Sequence, residues 1–169
     1  MYAIKLIVAA LHLLILDALT KELAIHHLLK SGVSSVSVIP GFFDLTYVEN
    51  RGCAWGMFQG QVWPLAVFAI LVMVLLIVRR KDFFFIKGPS WCVKTSCVAE
   101  TMLYAGILGN LIDRIWRGYV VDFFNFHWRE AYYFPCFNVA DILITCSAFL
   151  LIFLSFAAPK PNKNSNSTK

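Results

Sequence analysis

The chain has 169 residues, of which 59% are hydrophobic and only 15% charged, and its mean hydropathy is +0.69. That is far more apolar surface than one soluble domain of this length can bury, so a water-soluble globule is excluded and the bilayer is the expected solvent. The formal net charge of +5 calls for no nucleic-acid partner, because basic loops beside anionic lipid headgroups account for it.

The apolar residues fall in runs, and about 20 mostly apolar residues carry a helix across the hydrocarbon. Ile4 to Leu29 predicts the first span. Lys5 before Leu6 to Leu16 resembles a secretory leader, but no small-residue cleavage site follows and three more runs do, so the span is read as retained. In Ser31 to Gln61, Val33 to Val38 alternates Val with Ser, and Phe42 to Val48 mixes β-branched and aromatic residues. Short strands are expected there, with Pro40-Gly41 as the turn between them. Val62 to Val78 predicts the second span and Cys92 to Ile112 the third. Arg114 to Phe137 is crowded with aromatic residues, which suits an amphipathic segment at headgroup level. Val139 to Ala158 predicts the fourth span.

The expected fold is therefore an all-α membrane protein of four spans. A small β-rich segment lies between helices 1 and 2, and an amphipathic segment between helices 3 and 4. Residues 1–158 read as one membrane-embedded domain, and 159–169, rich in Asn, Ser, Lys and Pro, as a disordered tail. Lys5, Arg79, Arg80, Lys81, Lys87, Lys94 and the tail lysines fall on one side; Lys30, Arg51, Arg114, Arg117 and Arg129 fall on the other. The richer side is read as cytoplasmic, with both termini there. The cysteines make no disulfide framework, and Cys92 and Cys97 lack the neighbouring His or acidic residues that zinc requires. No metal or cofactor is expected.

Ionisable residues within spans cost energy and are functional candidates by default. Asp17 and Lys21, four apart on the first helix, read either as an ion pair pinning its outer end or as substrate contacts. Asn110, Asp113 and Arg114 share one face at the outer end of the third helix. Asn138 and Asp141 repeat the i, i+3 spacing where the fourth begins, a pattern that a helix cap and first-turn acid also explain. Asp122 lies on the same side of the membrane as Asp141. Two carboxylates at one depth beside apolar surroundings do not ionise together, and a shared proton suits one for activating water and the other for polarising a carbonyl.

Asn110-Leu-Ile-Asp113-Arg114, Gly118-Tyr-Val-Val-Asp122-Phe123 and Phe137-Asn138-Val-Ala140-Asp141 resemble the ordered C-terminal motifs of lipoprotein signal peptidase, the type II signal peptidase of bacteria. Upstream, Asp17 to Lys21 and Asn50-Arg-Gly52-Cys-Ala54-Trp-Gly56 resemble its first two motifs. Cys53 and Trp55 depart from the family, which more often has Ala and Phe there; Gly52 and Gly56 keep the tight turn. The resemblance implies an aspartic endopeptidase with Asp122 and Asp141 as its dyad, supported by Asp17, Lys21, Asn50, Gly52, Asn110, Asp113, Arg114 and Asn138. It also implies a substrate: a prolipoprotein in the membrane, cut just before a lipobox cysteine that already carries diacylglycerol. A monomer among membrane lipids is expected, in the inner membrane, with the site on its extracytoplasmic side. A transporter would place its acids at mid-depth within repeats, and none is visible. Neither His-Glu-x-x-His nor Gly-x-Ser-Gly occurs.

Overall fold

The computed structural model describes residues 2–84, 88–129 and 131–158. Helix α1 (Tyr2–Ala24) ends in a π-helical turn, Ile25–Leu29, before the hairpin of β1 (Ser35–Ile39) and β2 (Phe43–Asn50). Then come α2 (Val62–Val78), the short α3 (Arg80–Phe84), α4 (Ser90–Arg117), β3 (Val120–Trp128), β4 (Tyr132–Tyr133) and α5 (Val139–Ala157). The expected tail, 159–169, lies outside the described residues.

Each predicted apolar run is helical, and the hairpin turns at Gly41 (φ 75°) as the Pro-Gly signal predicts. The all-α expectation needs correction between the third and fourth helices. Val120–Trp128 is a strand that pairs antiparallel with β2, so both connections build one four-stranded sheet in the order β1-β2-β3-β4. The rings of Phe123, Phe124 and Phe126 come from β-favouring residues and pack on one another and on Phe43 and Phe137. Their density suits a headgroup belt, but aromatic enrichment signals a strand equally well, and here the strand forms. The β2–β3 register slips by one between Leu45 and Val48: Leu45 faces Phe124, but Val48 faces Asp122 and Asn50 faces Val120. That slip is a β-bulge on β2.

Helix α4 is the central element, packed against α1, α2 and α5. Small residues allow this: a Cβ at Gly106 would lie 2.6 Å from the Ala140 carbonyl oxygen. The burial pattern is inverted relative to a water-soluble bundle. Large apolar side chains such as Ile7, Leu11, Phe68, Leu71, Phe153 and Phe156 point outward, while Asp17, Lys21, Asn110, Asp113 and Asn138 are buried inside. Helix α5, with 19 residues and a mean hydropathy of 2.3, has the length and composition to cross a bilayer, and α2 is a shorter apolar helix of 17 residues. Charges interrupt α1 and α4, and Asp17, Lys21, Glu100 and Asp113 among them are buried.

Glu100, unexplained by the sequence, pairs through both carboxylate oxygens with Arg80 of α3, and so ties the α2–α4 connection to α4.

Candidate active site

Five segments converge at the junction of helices and sheet. At the start of α5, Asn138 caps the helix: its Oδ1 accepts the Asp141 backbone N–H at 3.0 Å, while Asp141 Oδ2 accepts the Asn138 backbone N–H at 3.1 Å. This is the reciprocal capping box that the i, i+3 spacing offers. The Asn138 amide Nδ2 donates to Asp122 Oδ1 at 2.7 Å and to Asn110 Oδ1 at 3.1 Å. Asn110 Nδ2 donates to Asp141 Oδ1 at 2.8 Å. From the end of β2, Asn50 Nδ2 donates to Asp122 Oδ2 at 2.9 Å. Asp122 and Asp141 are thus joined through one set of asparagine amides, and every carboxylate oxygen of the two accepts an N–H.

Both acids line a cavity of about 470 Å³, walled mainly by apolar side chains including Phe134, Phe137, Ile142 and Ile144. A second cavity of about 870 Å³ runs along α2, past Pro64, Leu65, Phe68 and Val72, and shares Asn110, Arg114, Asp141 and Ile144 with the first. Asp122 is 2% exposed. Burial, and secondarily the charge of Asp141, pushes its carboxyl up to about 7, against the opposing hydrogen bonds of Asn50 and Asn138.

The remaining predicted residues sit behind or beside this pair. Lys21 Nζ reaches Asp17 Oδ2 at 2.8 Å, Asp113 Oδ2 at 3.0 Å and Asn110 Oδ1 at 3.2 Å. Asp17 Oδ1 accepts the Ala140 backbone N–H at 2.8 Å, and Asp113 accepts from the Val121 backbone and from Arg117. Asp17 and Lys21 line neither cavity, which favours the ion-pair reading of that helix turn over substrate contact. Arg114 lines both cavities and donates to the carbonyls of Asn110 and Gly52. The Gly52 N–H donates to Asn50 Oδ1 at 2.9 Å, and a Cβ at Gly52 would lie 2.5 Å from the Met57 carbonyl oxygen, so the turn closes only with glycine. Within that turn Trp55 has φ 62°, and its ring meets Phe134 edge-on at 5.7 Å, both lining the smaller cavity.

Sequence reasoning missed Gly109, where a Cβ would lie 2.5 Å from Asp17 Oδ2. The small residues Gly106 and Gly109, three apart on α4, carried that signal. It also missed Arg117 as a partner of Asp113, and Phe134 and Cys136 as cavity walls.

Comparison with known proteins agrees with this geometry. The family model described as signal peptidase (SPase) II matches residues 9–157. The chain belongs to the signal peptidase II family. It is 39% identical over 147 residues to the lipoprotein signal peptidase of Clostridium acetobutylicum, covering 87% of this chain and 90% of that one. It is 41% identical over 149 residues to that of Caldanaerobacter subterraneus, covering 88% and 93%. A solved bacterial membrane enzyme superposes with a TM-score of 0.69 at 32% identity, covering 90% of this chain and 93% of the other. A second gives a TM-score of 0.69 at 30% identity, covering 94% of both. As a signal peptidase II, the chain is a membrane protease, and the polar cluster at the helix–sheet junction is where its buried acids meet.

Proposed function

We propose that Asp122 and Asp141 are the catalytic pair of an aspartic endopeptidase that removes signal peptides from diacylglyceryl-modified prolipoproteins, cutting before the lipidated cysteine. One observation carries the reading: two carboxylates, bridged by shared amides, line one apolar cavity at the end of an apolar helix. The ionised carboxylate takes a proton from water as its oxygen adds to the scissile carbonyl. The protonated carboxylate donates to the carbonyl oxygen, and the amine of the new N-terminal cysteine leaves with a proton as the C–N bond breaks. Asn50, Asn110 and Asn138 hold the two carboxylates, Asp17, Lys21 and Asp113 brace the helices behind them, and Arg114 with Gly52 shapes the cavity edge. A lipidated helical substrate brings apolar bulk to both sides of its scissile bond, which suits two apolar cavities that meet at Asp141.

In this reading α1, α2, α4 and α5 are four spans of a single 1–158 domain that acts as a monomer in the inner membrane. Both termini are cytoplasmic, and the sheet and the acids face the extracytoplasmic side. The basic residues Arg79, Arg80 and Lys81, at the opposite end of α2 from the acids, support that orientation. The test is cleavage in vitro of a lipidated lipobox substrate. Asp122→Asn and Asp141→Asn should each remove turnover while the protein still inserts into membranes, and full processing by either variant refutes the pair.

A further inference from the structure

Three asparagines point an amide N–H at the two carboxylates, and each is held in that orientation by a group that can only donate. The Asp141 backbone N–H fixes Asn138 Oδ1 as an acceptor, and the Gly52 backbone N–H does the same for Asn50 Oδ1. For Asn110 two donors reach Oδ1, the Asn138 amide at 3.1 Å and the ammonium of Lys21 at 3.2 Å, and only the second carries charge. An ammonium has three donors and no acceptor, so the Asn110 amide has one allowed orientation, with Nδ2 towards Asp141 Oδ1. Lys21 itself is 1% exposed and lines neither cavity, so its hydrogen-bonded route to the pair runs through Asn110.

We propose that Lys21 is a positioning residue for the peptidase reaction: it locks and polarises the Asn110 amide so that Asp141 stays the ionised, water-activating carboxylate and Asp122 carries the shared proton. The inference rests on the reading of Asp122 and Asp141 as the catalytic pair.

The two acids have equal numbers of donors but unequal surroundings. Asp141 accepts one N–H polarised by a cation and another from the N-cap backbone, at the positive end of α5. Asp122 lies in a strand and accepts only from neutral side-chain amides. The charged groups around Asp141 are Asp17 and Lys21 on α1, Asp113 and Arg114 on α4, and Asp122 on β3. Asp17 and Asp113 both bind Lys21, and Asp113 is also held by Arg117, so the lysine's charge is compensated without either acid reaching the cavities.

The experiment is the pH dependence of kcat/KM for a lipidated lipobox peptide, with the full chain in detergent or lipid vesicles. Lys21→Met should move the acid limb upward by about one pH unit, as loss of a nearby opposite charge does. kcat should fall at low pH, with KM little changed and activity recovering above the shifted limb. Because Lys21→Met leaves Asp17 and Asp113 short of a cation, a charge-balanced variant, Asp17→Asn with Lys21→Met, is measured beside it. The amide oxygen that replaces the Asp17 carboxylate can still accept the Ala140 N–H, and a smaller shift in the same direction is expected, because the lost acid offsets part of the lost cation. An unmoved acid limb, a raised KM at constant kcat, or failure of both variants to fold overturns the inference, since the lysine would then be inert, a substrate contact or a purely structural element. Activity in Asp122→Asn or Asp141→Asn would instead remove the catalytic-pair reading itself.

Discussion

The buried carboxyl of Asp122 makes stability depend on pH in a direction opposite to that of most surface acids. Its folded value of about 7 lies above the ordinary 3.8, chiefly because burial penalises the charged form. The folded state therefore holds a proton that the unfolded chain has released, and stability falls as pH rises between those two values. A shift of about 3 units at 1.36 kcal/mol per unit sets a ceiling of about 4 kcal/mol, fully present below pH 4 and lost as pH rises through about 7. For a chain of this length that is about 8–16 °C in Tm. The assay is thermal unfolding of the detergent-solubilised protein from pH 4 to 8, in parent and Asp122→Asn. Asparagine removes the titration, so the variant's slope across this range should be flatter. It also sets an NH2 against the amide of Asn50 or Asn138, both of which donate to Asp122, so the variant should lose some stability at low pH. The activity profile should share the feature, with kcat/KM declining as pH rises through about 7 and the shared proton leaves. An Asp122→Asn variant that kept the parent's slope would refute the reasoning.

Gly109→Ala should destabilise by about 3 kcal/mol, because its Cβ would sit 2.5 Å from Asp17 Oδ2 and displace the partner of Lys21 and of the Ala140 N–H; a Tm within about 2 °C of the parent would contradict this. Arg80→Ala leaves Glu100 buried without its cation and should cost about 1–3 kcal/mol in unfolding measurements. The double variant Arg80→Ala with Glu100→Gln should recover part of that loss, and prolipoprotein cleavage should stay near the parent's rate in both.

The helices were legible because apolar runs of this length have few other uses, and the first hairpin because Val-Ser alternation and Pro40-Gly41 are local signals. Asn138 and Asp141 were legible twice over, as helix cap and as candidate acid, and the structure joins them in one capping box beside Asp122. The strand β3 was not, because Val120–Trp128 is apolar and aromatic without alternation, and its partner β2 lies some 70 residues upstream. Nor could the sequence reveal that Asp122 and Asp141 are joined through Asn110 and Asn138. That depends on how closely α4 approaches α5, which Gly106 and Gly109 permit and no local pattern announces.

The β-bulge on β2 bears on which length changes this chain can tolerate. Ahead of it Leu45 lies opposite Phe124, and beyond it Asn50 lies opposite Val120, so Leu45, Asn50, Phe124 and Asp122 share one face of the sheet. Were the same residues paired without a bulge, Asn50 would stand opposite Tyr119 and point away from Asp122, because side chains alternate faces along a strand. Deleting one residue at Thr46 or Tyr47 would thus turn the bulge into regular pairing and leave Asn50 opposite Val120, still on the face of Asp122. A homologue that lost one residue there could keep Asn50 on Asp122 with no compensating change, whereas one residue lost between Val48 and Asn50, where the pairing is regular, would turn Asn50 to the other face.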